Sequence, residues 1–412
     1  RKEMDARYQW DLTPMYQDDA AWEAELATLD DQVNAMTAFA GTLKDAVSIG
    51  AYLDAATELG RKLSNLYCYA SLRRSEDTRA EDGQSMYARV TAKYVQALTA
   101  MAFAEPEILS LPEETLKAVV QDEQLADHKF TMENLLRQKP HTLTASEEKI
   151  LATFGEALGA PAEIADNLQD ADMVFDAVQD GDGKTVEVTG SNYITLQMST
   201  DRTLRKHSFE SYYKGYRQHI NTFASSYAGA VKGATAEATV RHYDSSRAMS
   251  MAGENIPVEV YDNLIDTVRK HMPAMYRYVA LRKKILGVDE LHYYDVYAPL
   301  VGDINVRYTY EQAQQMVLDA VAPLGQDYTD LVRKAFAERW IDVYPNKGKS
   351  GGAYSSGTYD SNPYILTNFT GTLDSVSTIA HEMGHSMHTW HSNHHQPAQY
   401  AEYTLFVAEV AS

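Results

Sequence analysis

One cysteine stands among 412 residues, and no stretch of the chain approaches the roughly 20 consecutive apolar residues that cross a bilayer. The lone thiol, Cys68 in NLYCYASL, cannot close an intrachain disulfide, so a reducing, cytoplasmic setting is expected. The N-terminal RKEMDARYQWDL lacks the apolar core of a signal peptide, and no membrane partner is expected. Basic residues are also scarce: 37 Lys and Arg face 58 Asp and Glu, a formal net charge of −21. Such a field repels nucleic acid and anionic lipid and favours neutral or cationic ligands. Fixed-period repeats and low-complexity tracts are missing as well. So is an initial Met, and the chain stops at YTLFVAEVAS inside an apolar-periodic run with no Gly, Pro or cap, as a fragment truncated at its C-terminus would. What remains, 44% hydrophobic and 23% charged, is a globular composition long enough for two or three domains.

Periodicity predicts a mainly α protein. Apolar residues recur every three or four positions through Ala21 to Ala38, Val47 to Leu72 and Asp82 to Ala104, the pattern of long antiparallel helices. A further helical block runs from Ser146 to Phe175, with Thr144 or Ser146 placed to cap it. The period then changes. DGDGKTVEVTGSNYITL, residues 180 to 196, alternates β-branched and polar residues around Gly190 and predicts a short hairpin. It divides the chain into an N-terminal helical domain, 1–180, and a second domain, 181–412. Helices resume over Asp201 to Tyr243, Val258 to Leu286 and Tyr310 to Ala337. A loop, GKSGGAYSSGTYDSN, then leads into the apolar strand PYILTNFTG, which runs into a helix holding six of the thirteen histidines.

That helix contains STIAHEMGHSMHTWHSNHH, residues 377–395. At about 100° and about 1.5 Å per residue, His385 lies roughly 40° around and roughly 6 Å along from His381, so both imidazoles project from one face and can share an ion. His388 lies on the same face but roughly 10 Å from His381; it reads as a packed residue or one that orients a ligand. Glu382, between the pair, completes His-Glu-x-x-His, the spacing in which two histidines hold zinc and the glutamate takes a proton from water. Gly384, a poor interior helix residue, adds weight to the motif.

A third ligand is needed. His391 falls six residues after His385, as in metzincins, but those chains turn at a glycine where His388 stands here. If the helix continues, His391 points about 120° away from His385. The other route is a carboxylate from a following segment, as in thermolysin-type His₂Glu sites. Glu402 and Glu409 are the candidates. Glu409 sits among Phe406, Val407, Ala408, Val410 and Ala411, where burial would demand a metal or a cationic partner. Glu402, beside Gln399 and Tyr403, reads as solvated.

HEMGHSMH followed by FVAEVAS, and preceded by GAYSSGTYDSNPYILTNFTGTLDSVSTIA, resembles the thimet-oligopeptidase-like zinc peptidases, specifically their bacterial oligoendopeptidase F branch. YQWDLTPMY, GENIPVEVYDNLI and LHYYDVYAPLV extend the resemblance over essentially the whole chain. The resemblance implies a multi-helical N-terminal domain and the first part of a thermolysin-like zinc-helix catalytic domain with a small sheet. It implies one Zn²⁺ held by His381, His385 and Glu409, with Glu382 as general base. Asp374 matches a family aspartate seven residues before the first ligand and could orient a histidine; a solvated acid in the first helical turn is the alternative. The family's oxyanion donors, a His and tyrosines, would lie beyond residue 412.

The expected reaction is hydrolysis of internal bonds in short, unfolded peptides by zinc-activated water. PYILTNF, taken as an edge strand beside the zinc helix, would pair main chain to main chain with an extended peptide. Gly352 and Tyr354 in the loop, with Tyr364, Ile365, Leu366, Asn368 and Phe369 in the strand, are then the expected substrate contacts, unless the loop is an ordinary surface connection. Two rival classes stand beside this one: a helical protein that only sequesters metal, and a peptide-binding fragment of a peptidase with weak or no catalysis. Oligomeric state is not legible in the sequence.

Overall fold

The computed structural model describes residues 1, 3–190, 192–301 and 306–411, with Ala145, Lys149, Ala152, Glu156, Asp170 and Ala171 described in backbone only. Helices dominate, as the periodicity predicts. The chain divides into two compact units, residues 1–139 together with 306–412, and residues 140–305. The division expected near residue 180 therefore falls inside the second unit, and the first is built from both ends of the chain.

In the first unit, Ala46–Glu76 and Glu81–Met101 form a helical pair joined by a short turn. Asp45 starts the first of them with a capping box, its carboxylate accepting the Ser48 amide at 2.9 Å while Ser48 Oγ accepts the Asp45 amide at 3.2 Å. The two helices approach closely at Gly83, where a Cβ would meet the Arg74 backbone at 3.0 Å. Ile49, Leu59, Leu63, Leu66 and Leu72 turn one face of the long helix into a core shared with Trp22, Leu29, Leu116 and Met132.

A three-stranded sheet follows: β3 (Ile341–Asp342), β4 (Tyr354–Ser356) and β5 (Tyr364–Leu366) in the order β3-β5-β4. β3 runs parallel to β5 with Ile341 opposite Ile365, and β4 runs antiparallel with Ser355 opposite Ile365. Side chains alternate across a strand, so Tyr364 and Leu366 enter the core of the long helices while Ile365 enters a second core with Trp340, Val343, Phe369, Ile379 and Met383. The sheet is thus covered on both faces, and its residues are sealed by apolar burial worth about 1.5–3 kcal/mol per large side chain. The side chains of Lys349 and Asp342, both fully buried, pair at 2.6 Å, and Lys349 Nζ also donates to Tyr344 O at 2.8 Å. That contact pins the start of the glycine-rich loop under the sheet.

The histidine helix, Leu373–His395, packs Val376, Ile379, Met383 and Met387 into the second core. Those 3- and 4-residue spacings define the buried stripe, which leaves His381 and His385 on another face. Thr372 caps its start through the Ser375 amide at 3.1 Å, and Pro397 follows its last turn, where a helix cannot continue.

The second unit holds a minimal hairpin of β1 (Val178–Gln179) and β2 (Thr185–Val186), turning at Gly183 with φ +78°. The expected hairpin is present but smaller: Tyr193–Gln197, which its alternation assigned to strand, is helical. Long helices span Arg202–Gln218, Ile220–Val240 and Val258–Leu286.

Candidate metal centre

Four residues apart on one helix, His381 and His385 place their Nε2 atoms 3.3 Å from each other. Beyond Pro397 the chain folds back along the same helix. Ser392 Oγ donates to Ala401 O at 2.5 Å, Thr389 Oγ1 and Tyr403 OH lie 2.9 Å apart, and the Tyr403 ring stacks on His388 at 3.6 Å between centroids. This return brings Glu409, which closes a four-residue helix, Leu405–Ala408, to the histidines. Its Oε2 lies 3.8 Å from each Nε2. Among the described residues this is the group of three or more His, Cys, Asp or Glu side chains that could hold a metal, with all ligand atoms within 4.8 Å of one another.

The donor set fits an ion. A tetrahedral zinc with bonds of about 2.0–2.1 Å spaces its ligand atoms about 3.3 Å apart. The two histidines already stand at that separation, and Glu409 is about half an ångström wide of it. Two imidazoles and one carboxylate would leave a fourth position open to water. Glu409 reaches the site for a reason other than the expected one: its side chain is 68% exposed, and Phe406, Val407 and Val410 around it are exposed as well. No burial compels the carboxylate to find a partner. The fold-back of the chain along the helix brings it there.

Glu382 is different. It is 7% exposed, and burial pushes its carboxyl upward while His381 and His385 pull it down and Glu409 opposes them. A carboxyl raised by desolvation and flanked by two imidazoles is placed to take up and return a proton. The Ser355 amide of β4 also lowers it, so strand β4 borders the same point. Ser355 Oγ lies 2.8 Å from Ser386 Oγ and ties the strand to the histidine helix.

The remaining expected residues scatter. His388 stacks on Tyr403, its buried Nδ1 having no hydrogen-bond partner among the described residues; desolvation lowers its basicity. It packs the returning chain and stands outside the cluster. His391 is exposed near the far end of a helix that continues unbroken to His395. Asp374 is exposed in the first turn, and its carboxylate has no hydrogen-bond or ion-pair partner among the described residues. With Gly352 and Asn368 it lines a cavity of about 280 Å³.

Two expectations about substrate contact are corrected. β5 is the central strand, so its main chain is already paired on both sides; Tyr364, Ile365 and Leu366 are fully buried and Phe369 is 3% exposed. Core packing holds these four, and a substrate cannot reach them. Asn368 is occupied too, its Nδ2 donating to Ser350 O and Gly352 O at 2.9 Å each, which shapes the glycine loop. The open edge belongs to β4, with Tyr354 half-buried in it. In the sequence Ser355 and Ser356 read as loop, because the four residues between Gly352 and Gly357 carry no measurable alternation.

A family model described as peptidase family M3 matches residues 195–412, and one described as oligopeptidase F matches residues 107–175. The whole chain is 38% identical to oligopeptidase PepF of Bacillus subtilis, covering 62% of that protein, and 39% identical to group B oligopeptidase PepB of Streptococcus agalactiae, covering 69%. Among solved structures, a putative peptidase from Chlamydophila abortus matches with a TM-score of 0.91 at 33% identity, over all of this chain and 69% of that one. Oligoendopeptidase F from Enterococcus faecium matches with a TM-score of 0.64 at 29% identity, over 96% of this chain and 65% of that one. No described helix is long and apolar enough to cross a membrane.

Proposed function

The chain belongs to peptidase family M3, in its oligoendopeptidase F branch, and from that membership we propose that it is a zinc-dependent endopeptidase of short, unfolded peptides. The observation that carries the reading is the convergence of His381, His385 and Glu409 around one point with the buried Glu382 between the two histidines. Zinc bound there would supply a Lewis acid for the scissile carbonyl and lower the pKa of its water to about 7.

This chain's residues do the rest. The Glu382 carboxylate accepts a proton from the attacking water at one Oε and delivers it to the departing amide nitrogen. Its burial favours the protonated intermediate state, and the imidazoles on either side favour its return to carboxylate. The outer edge of β4, where the Ser355 amide already faces Glu382, pairs through its remaining main-chain groups with an extended peptide, which fixes the scissile bond without reading sequence. Ser355 lies in that edge and touches the histidine helix, so strand and proton carrier are held in one frame. A cytoplasmic setting is part of the reading: the one cysteine, Cys68, is buried and its thiol is pushed up to about 11 by burial.

Glu382→Gln tests the assignment on the full chain. The amide keeps the shape but cannot accept the proton, so cleavage of an internally quenched peptide should fall by about 10²- to 10⁴-fold while one zinc per chain is retained. Loss of zinc in that variant would make Glu382 a ligand and overturn the assignment. A chain that binds zinc yet cleaves no peptide would favour the binding-only reading.

A further inference from the structure

Beside the open edge of β4 lies a groove, walled by the Ala46–Glu76 and Glu81–Met101 helices on one side and by the histidine helix with residues 398–403 on the other. It comprises two adjoining cavities of about 550 and about 500 Å³ that share Ser64, Tyr94, Ser356, Gly357, Thr358 and Glu402. We propose, resting on the peptidase reading above, that this groove receives a substrate side chain and that Glu402 makes it a subsite for lysine or arginine.

Charge is the first argument. Glu402 is the acid that lines both cavities, and its carboxylate has no hydrogen-bond or ion-pair partner among the described residues. The cation nearby, Arg61, is already committed. Its Nε and Nη2 bind Asp360 at 3.0 and 2.5 Å, and its Nη1 binds Glu58 at 2.8 Å. The lining thus carries one cation and one acid, and because Asp360 and Glu58 outside the lining already neutralise Arg61, the uncompensated charge that faces the groove is that of Glu402. A cation entering it gains a partner, whereas an acidic side chain meets repulsion.

Shape is the second. The cavity that reaches between the long helices has Tyr67, Tyr94, Val95 and Cys68 in its wall, apolar surface suited to the methylene stem of a long basic side chain whose charged end stays at a polar group. The Tyr67 and Tyr94 rings in that wall, 6.1 Å apart between centroids, can add an aromatic contribution where the charge passes over a face. Position is the third. Ala401 is buried, and Tyr403 is held to Thr389 and His388, so Glu402 is anchored on both sides and sits opposite the strand that would carry the peptide. It stands outside the metal cluster, which frees it from the ligand role the sequence left open.

The test uses zinc-loaded full chain carrying Glu382→Gln, so that binding is read without turnover. Fluorescence polarisation compares labelled peptides in which each position in turn is lysine, norleucine or glutamate. Lysine should bind about 3- to 10-fold tighter than norleucine at one position, the range for an exposed ion pair with an aromatic contribution. Adding Glu402→Gln should bring that ratio close to one, and Glu402→Lys should make glutamate the preferred residue there. If peptides bind but the lysine-to-norleucine ratio is the same with Glu402→Gln, the subsite assignment is wrong and the peptidase reading stands. If no peptide binds at all, the peptidase reading falls and takes this inference with it.

Discussion

Trp340, Ile341, Ile365 and Ile379 are sealed from solvent in the unit that carries the histidines, within one of its two apolar cores. In residues 140–305 the buried apolar side chains among those described are Val188, Tyr193, Ala238, Tyr294 and Ala298. That second unit is ordered by other means. Asp295, fully buried, accepts Arg202 Nη2 at 2.9 Å, Arg205 Nη2 at 3.0 Å and the His292 amide at 3.0 Å, while Arg282 donates to its carbonyl. Aromatic rings stack beside this hub, Tyr193 on Tyr212 at 4.0 Å and Phe175 on Tyr212 at 4.8 Å. Its longest helix, Val258–Leu286, exposes Tyr261, Leu264, Val268 and Tyr276 and buries Arg282. The two histidines of the candidate metal cluster thus stand on a helix packed into a dry core, whereas the unit held by directional polar contacts carries no such cluster among its described residues.

The comparison breaks most visibly if apolar truncation costs the same in both units. Trp340→Ala removes a fully buried indole from the core against which the histidine helix packs, and should destabilise the first unit by about 3–5 kcal/mol. Chemical denaturation followed by zinc binding would read both effects. A cost as small as that of Val188→Ala in the second unit, on the order of 1 kcal/mol, would show that the cores are not what distinguishes the two.

A sharper test goes to the polar hub. Asp295→Asn removes the charge that Arg202 and Arg205 share and leaves a 3% exposed Arg205 without its ion partner, a loss of about 3 kcal/mol for the second unit. Acid should act in the same way on the native chain. Burial alone would raise the Asp295 carboxyl, but the hydrogen bonds from Arg202, the His292 amide and Arg205 outweigh it and hold the group down at about 2. Because the folded value lies below the ordinary one near 3.8, the stabilisation is complete above about pH 4 and fades as pH falls towards 2, by about 2 kcal/mol in all. Hydrogen exchange in residues 202–218 and 282–298 should accelerate over that window, and Asp295→Asn should abolish the dependence. A flat profile in the native chain would remove the hub from its assigned role.

The sequence and the structure part company at points that share one cause. Local periodicity is enough for the helices: Val258–Leu286 matches residue for residue, and the i, i+4 geometry of His381 and His385 needs nothing beyond a helix. Sheet order is a different matter. PYILTNF is recognisable as a strand, yet whether it lies at the edge or the centre depends on β3, whose two residues come from a segment well before it in the chain. The same applies to the units, since nothing in the composition near residue 140 or 306 announces that the chain leaves one core and later returns to it. In the sequence Glu409 is marked by the family resemblance and by an apolar neighbourhood, and in the structure that neighbourhood is exposed. The residues that bring it into place, Ser392, Thr389 and Tyr403, act through tertiary contacts with no local signature.

Those contacts set up the smallest expected effect. Two aromatic neighbours on the histidine helix, His388 and His391, look alike in sequence but differ in what they hold. The Tyr403 ring lies on His388 at 3.6 Å with its hydroxyl 2.9 Å from Thr389 Oγ1, and Glu409 follows six residues later on a segment with little buried surface of its own. Loosening that clamp lets the carboxylate spend more time away from the two imidazoles, and ordering it again must be drawn from the free energy of metal binding. Tyr403→Ala should therefore weaken zinc binding about 3- to 10-fold, the loss of one stack and one hydrogen bond at about 0.5–1.5 kcal/mol. Tyr403→Phe, which keeps the ring and loses the hydroxyl, should fall between it and the native chain. His391→Ala, at an exposed position one turn further along, should leave both zinc affinity and stoichiometry unchanged. Competition titrations with a chromophoric chelator would resolve differences of this size. If His391→Ala loses the metal and Tyr403→Ala keeps full affinity, the third ligand comes from the helix itself and the returning segment is only packing.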